Sequence, residues 1–432
     1  MNRFLDRSDK QDKRIPVCFI GSIYYLLVIV RAATICMTWD EGFTYVHYVR
    51  HIIDDPSDFF RAYTHCVANN HLLNSISILI TDLIFRSPYN EFLVRIPALC
   101  ACAFFLFVLS RSYLREEIDT FVYIMFISNG LLSEYGFLAR GYGISCTMIL
   151  IACLEYKRLE KADDAKDQFA CLVYISIFAV IAEAGNTIAF LTVFPIYILT
   201  LLCLVRKKTL REMIRGLRLI ILAAIGMCHL VLMIFHYSIS IHNKPLYVGR
   251  DGIFRSFFGG YGMTYGSFIT EYIFMFLIPI SFILYAAFRI KNKDIFSSPF
   301  VLGFIVHFVT VFISCYLTGK GLPTGRTLIP SMPVLFLALD EIFRALNASV
   351  RRYILPCIAI LFAVLFVTGL SFSQIRDYPV NSNDKRFVYE LMRDNRTLED
   401  AGVENMEQYT FYIGQLKYYY GYELTKEDML SW

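Results

Sequence analysis

Charge is what this sequence has least of. Of its 432 residues, 18% are Asp, Glu, Lys or Arg, where a soluble domain carries roughly a quarter. The shortfall excludes a disordered chain, a fibrous protein and a soluble enzyme. Paired cysteines are missing as well. None of the 12 Cys forms a Cys-x-x-Cys pair, so the usual zinc and redox signatures are absent. Cys100, Cys102, Cys146, Cys153, Cys228 and Cys315 lie inside apolar runs and read as small packing residues. No internal repeat and no low-complexity tract stands out, and no feature points to a nucleic-acid partner.

What the sequence has is apolar length. Hydrophobic residues make up 56% of it, with 38 Phe and 29 Tyr, and mean hydropathy is +0.51. Several apolar runs approach or exceed the ~18 residues that cross a bilayer. The chain therefore reads as an all-α polytopic membrane protein. Eleven spans are expected, near residues 15–37, 91–109, 120–138, 142–156, 169–182, 188–204, 217–237, 272–288, 299–317, 328–343 and 353–372. A twelfth run, 72–85, is about 14 residues long and carries Asn74, Ser75, Ser77, Thr81 and Asp82. Such a length suits an interfacial helix better than a span.

The distribution of positive charge sets the orientation. If 72–85 does not cross and residues 1–14 are a cytoplasmic tail, the inner segments hold 23 of the 41 Lys and Arg. The outer loops then hold about nine over a greater length, as the positive-inside rule requires. Residues 38–90 become one long outer loop with juxtamembrane helices. Residues 15–372 form the membrane domain. The polar, Tyr-rich stretch 373–432 reads as a small extracytoplasmic α/β appendage, and it carries a sequon at Asn395-Arg396-Thr397.

Unusual residues gather on the outer side. Asp40 and Glu41 are adjacent carboxylates where the first span ends, either a plain helix start or a reactive pair. His65 and Asn69-Asn70-His71 follow in the same loop, and could equally be caps. Arg140, near an outer membrane boundary, is expensive unless paired or functional. The loop 318–326 combines glycines with Lys320 and Arg326, a set that suits an anion such as phosphate. His307 and Glu183 read as satisfied polar groups of the bundle. One face thus offers a carboxylate that can take a hydroxyl proton and cations that can stabilise a departing phosphate. That is what a transferase with a lipid-phosphate donor needs. Phosphate leaves readily, so no second carboxylate has to act as general acid, in contrast to glycoside hydrolysis.

These residues resemble those of membrane glycosyltransferases of the GT-C fold, and in particular the bacterial glycosyltransferase-39-like branch. That branch is related to protein O-mannosyltransferases and the lipid A aminoarabinose transferase. Trp39-Asp40-Glu41 with Tyr45 resembles its acidic motif. Asn69 to Asn74 resembles its His-Pro-Pro-like segment, and Phe92 to Leu99 its Arg-Leu-Pro-Ser stretch. Ala139-Arg140-Gly141-Tyr142 resembles an Arg-x-Tyr element, and Gly325 to Pro330 an Arg-Tyr-x-x-Pro segment. Phe411 to Gly414 and Tyr418 to Tyr420 resemble a Tyr-Gly patch near the end of such chains. Leu72 and Thr327 depart from the pattern, standing where Pro and Tyr are usual.

The resemblance implies an inverting transfer of a sugar from a polyprenyl-phosphate donor to a hydroxyl of an envelope glycan, lipid or protein. It also implies an active site on the outer face of the cytoplasmic membrane. Asp40 would be the catalytic base and Glu41 would orient acceptor or base. Arg140 and Arg326 would face the donor phosphate, and Lys320 joins them on charge and location. Asn70, His71, Tyr142 and His65 would bind acceptor or sugar. No cofactor is required, although a divalent cation could sit beside Asp40 with His65 or His71. A transporter or flippase for lipid-linked precursors is the alternative of a different class, and an inactive scaffold subunit is a third. The residues do not identify the sugar or the acceptor.

Overall fold

The computed structural model describes residues 2–35, 37–58, 71–87, 90–242, 252–265, 268–291, 298–319, 321–345, 356–357 and 360–364. The elements among them are helical throughout. In a bilayer each helix satisfies its own backbone groups, which is why such an apolar chain takes this form. Among the described residues, seven helical stretches are long and apolar enough to cross a membrane: Pro16–Thr34, Glu91–Leu114, Ala165–Gly185, Thr187–Arg206, Leu217–Ile234, Ile269–Ala287 and Pro299–Leu317. The protein is a multi-pass membrane protein.

The other four expected spans take different forms. Residues 120–138 are not one helix. A helix over Thr120–Ile127 stops at Ser128, and a second short helix, Gly130–Glu134, starts where the Asn129 side chain accepts a hydrogen bond from Leu132 N–H. Tyr142–Lys161 is one continuous helix of 20 residues, but its last two turns carry Glu155, Lys157, Arg158, Glu160 and Lys161. Residues 328–343 start as a 3-10 turn, Gly325–Ser331, and continue as Met332–Arg344. Most of 353–372, and all of the 373–432 appendage with its sequon and Tyr-rich patch, lie outside the described residues.

The helices that build and support the candidate site are α1 (Asn2–Thr34), α2 (Trp39–Thr44), α3 (Leu72–Phe85), α4 (Glu91–Leu114), α5 (Thr120–Ile127), α6 (Gly130–Glu134), α7 (Tyr142–Lys161), α8 (Ala165–Gly185), α9 (Phe190–Arg206) and α10 (Leu217–His242). Helix α7 lies at the centre. It pairs with α4, α8, α9 and the 3-10 turn, and thirteen of its residues are buried. Its tightest crossing is with α8, where a Cβ on Gly141 would stand 1.6 Å from the Gly185 carbonyl oxygen. Only glycine permits that approach, a device common between membrane helices.

Helix α3 has 14 residues. At 1.5 Å per residue it is about 21 Å long, short of the ~30 Å hydrocarbon core. It has two faces. Asn74, Ser75, Ile78, Thr81 and Asp82 are buried, while Ile80, Leu83, Ile84 and Phe85 are exposed. Its length is shorter than that of the seven apolar stretches, and its exposed residues form one apolar face.

Candidate active site

The C-terminal end of α1 leads directly into the candidate site. Thr38 begins α2 with a capping box: its side chain accepts from Glu41 N–H while the Glu41 carboxylate accepts from Thr38 N–H. This sequence pattern, Thr followed three residues later by Glu, is a strong helix start. It fixes where Asp40 and Glu41 point, and the two carboxylates go to different places.

Glu41 is fully buried. Its oxygens accept from Arg95 Nε at 2.9 Å and from an Arg95 terminal nitrogen at 2.8 Å. They also accept from Ala139 N–H at 2.7 Å and from the Thr38 N–H and hydroxyl at 3.0 Å each. Burial alone would raise its pKa, but the Arg95 charge and these hydrogen bonds hold it below the usual carboxylate value. A carboxylate accepting so many bonds is locked as an anion. Arg95, also fully buried, donates further to the carbonyls of Ala32 at 2.8 Å and Ile35 at 2.6 Å. One ion pair thus ties together the end of α1, the start of α2, the first turns of α4 and the 139–140 loop. Arg95 received no role from the motifs alone. The available signal was an arginine in an otherwise apolar helix, which needs a partner at that depth.

Asp40 faces elsewhere. Its Oδ2 lies 2.7 Å from an Arg326 terminal nitrogen and 3.7 Å from one of Arg140. Arg140 also donates to the Asp40 carbonyl at 3.4 Å and to the Thr44 hydroxyl at 3.3 Å. The side chains of Asp40 and Arg140 are almost wholly buried, whereas that of Arg326 keeps 27% of its surface exposed. Arg326 is presented by the 3-10 turn, whose start is fixed by a Thr324–Thr327 capping box and by Gly325 at φ +53°. Residues from three distant parts of the sequence therefore meet at one carboxylate oxygen.

His71 caps the start of α3 and is buried. Neither ring nitrogen makes a hydrogen bond of acceptable geometry, although the Gly185 backbone lies near enough to favour a ring proton. Desolvation, and then the charges of Arg140 and Arg326, push its pKa well below the ordinary histidine value. Its ring is therefore neutral at physiological pH. Tyr142 packs edge-on against it with centroids 5.0 Å apart, and Tyr135 packs on Tyr142. Helix α3 is held to the site by three contacts. Asn74 donates to the Ala139 carbonyl at 2.8 Å, and Asp82 accepts from Tyr45 at 3.2 Å and pairs with Arg50 at 3.5 Å. Tyr45 and Arg50 bound a π-helical turn directly after α2, an irregularity often found at functional sites.

Of the anticipated site residues, Asp40, Arg140, Arg326, His71 and Tyr142 come together. Glu41 lies next to them but inside its own knot. His65, Asn70 and Lys320 lie outside the described residues. Among the described residues, no three His, Cys, Asp or Glu side chains gather as a metal-binding group. The expected alternative of a divalent cation beside Asp40 involves His65, which lies outside the described residues.

Glu183 and His307 have partners, as expected of polar groups in the bundle. His307 Nδ1 meets the Leu191 carbonyl at 3.0 Å. Glu183 bonds His229 Nδ1 at 2.7 Å, and His229 Nε2 bonds the Tyr197 hydroxyl. This chain borders a cavity of about 400 Å³ between α8, α9 and α10, lined mostly by apolar residues such as Leu172, Val193 and Leu222. Glu183 is two residues from Gly185, so the cavity ends close to the α7–α8 crossing beside His71. Comparison of the chain with protein-family models, with characterised proteins and with solved structures gives no match.

Proposed function

We propose that the protein is an inverting glycosyltransferase that moves a sugar from a polyprenyl-phosphate donor to an acceptor hydroxyl at the outer face of the cytoplasmic membrane. The observation that carries this reading is the meeting of Asp40 with Arg140 and Arg326 just after the first span. A carboxylate and two fixed cations are the parts that this transfer needs. Guanidinium groups are well suited to a phosphate, which they hold through directed, charge-assisted hydrogen bonds.

In the reaction, Asp40 takes the proton of the acceptor hydroxyl as its oxygen attacks the anomeric carbon from the face opposite the phosphate. The new C–O bond forms as the bond from that carbon to the phosphate oxygen breaks. The electron pair leaves with the phosphate, and Arg140 and Arg326 stabilise the charge that builds there. The products are the inverted glycoside, polyprenyl phosphate and a proton on Asp40. Glu41 does not share in this chemistry. It is a positioning residue, because its lone pairs are taken by Arg95, Ala139 and Thr38. The apolar cavity near Glu183 offers the donor's isoprenoid chain a place beside the site.

The test is transfer or slow release of sugar by the purified protein from short-chain polyprenyl-phosphate sugars. Asp40→Asn is expected to lower the rate by at least about a hundredfold, the usual scale for loss of a general base. A variant that keeps wild-type turnover would show that Asp40 is not the base.

A further inference from the structure

Both arginines of the site converge on a single oxygen, Asp40 Oδ2, at 2.7 and 3.7 Å. That is how such groups meet an anionic oxygen of a ligand. In this state Oδ2 is occupied by two guanidinium groups and is not open to an acceptor hydroxyl. The same cations are the groups that a phosphate would need. Beside them stands His71, buried, neutral and with neither ring nitrogen in a well-formed hydrogen bond. A buried polar ring in that condition is costly unless another group completes its bonding. Arg326 is the exposed member of the pair, and it is carried by a turn entered through Gly325 at positive φ.

Resting on the glycosyltransferase reading, we infer that the Asp40 carboxylate occupies the seat of the donor phosphate, and that donor binding displaces it by drawing Arg326 onto the phosphate. The arriving phosphate then meets Arg140, Arg326 and a His71 hydrogen bond. Asp40 Oδ2 is then open to the acceptor hydroxyl and its proton. The exchange enforces an order, donor before acceptor. It also keeps the base occupied while no donor is bound. The two arginines stay paired at both stages, with Asp40 before donor binding and with the phosphate after it, which matters because an uncompensated charge at such a buried site is expensive.

The inference makes an uncommon demand on binding. Removing the charge of a catalytic carboxylate should tighten the donor's phosphate rather than leave its affinity unchanged. The probe is farnesyl phosphate, a short isoprenyl phosphate without sugar, titrated calorimetrically into the full chain in detergent. Asp40→Asn is expected to bind it at least tenfold more tightly than wild type, and Asp40→Ala provides the same comparison if the Asn variant does not fold. Arg326→Gln is expected to bind at least tenfold more weakly than wild type. Equal or weaker binding by the Asp40 variants overturns the exchange. Sugar release by the wild type, measured on the same preparation, keeps the two ideas apart. Release with unchanged Asp40-variant affinity overturns the exchange and leaves the transferase reading standing. Tighter binding by the variants without release from any donor supports the exchange at an anion seat and removes the transferase reading.

Discussion

Asp40 and Glu41 are chemically near-identical neighbours, and their surroundings give them different work. Glu41 belongs to a buried ion pair, and breaking such a pair by removing one partner costs about 3–5 kcal/mol. Glu41→Gln is therefore expected to lower the unfolding temperature in detergent markedly, and by more than Asp40→Asn, because the Arg326 partner of Asp40 keeps part of its surface in water while Arg95 has none. Equal shifts would contradict the division between them. The pH dependence has a definite sign. Glu41's pKa is depressed from 4.5 in the folded protein, so its stabilisation is complete above that value and is lost as pH falls through the lower folded value. His71's pKa is depressed from 6.5, so below pH 6.5 the unfolded chain takes up a proton that the folded one refuses, and stability drops. His71→Asn is expected to flatten the stability curve just below pH 6.5; an unchanged slope would mean that His71 is not held neutral. At this scale the residue types were legible in the sequence and their roles only partly so. The Asp-Glu motif marked both carboxylates, but nothing in its spacing told which one would meet Arg95. That depended on where α4 packs.

Helix pairing sets the distances among these residues. Gly141 and Gly185 let α7 and α8 cross with backbones nearly touching, and the same crossing holds Arg140 and His71 close to each other. Gly141→Ala would force the carbonyl of Gly185 aside. It is expected to reduce both stability and turnover, whereas Gly21→Ala on α1, where a Cβ meets only the Ser110 hydroxyl at an ordinary 3.8 Å, is expected to change neither. Thermal unfolding and turnover measured on the two variants together check this. Apolar length revealed most of the long helices. It did not reveal the break at Ser128–Asn129, because 120–138 is mostly apolar on average and the cap that interrupts it uses one Asn side chain. Helix α3 was legible from its composition, since polar residues at helical spacing in a short apolar run can serve only a helix with one face inward.

Across the whole molecule, the sequence disclosed membrane class, and Lys and Arg placement led to the proposed orientation. The spatial meeting of residues 40, 140 and 326 was anticipated only as a shared side of the membrane; their convergence on one oxygen requires the tertiary structure. Orientation has its own check. A cysteine replacing Ser87, in the loop after α3, is expected to react with an impermeant maleimide in intact cells. One replacing Lys208, in the turn after α9, is expected to react only once the membrane is opened. The reverse pattern would place the candidate site in the cytoplasm and remove the proposed donor side. The most direct measurement is sugar transfer or release from a panel of polyprenyl-phosphate sugars by purified wild type and Asp40→Asn, with binding read in parallel from ligand-induced stabilisation. We expect one donor to stabilise both proteins and to be turned over by the wild type alone. Movement of an intact lipid-linked sugar across vesicles with no bond cleaved, unaffected by Asp40→Asn, would instead identify a transporter and contradict catalysis at Asp40.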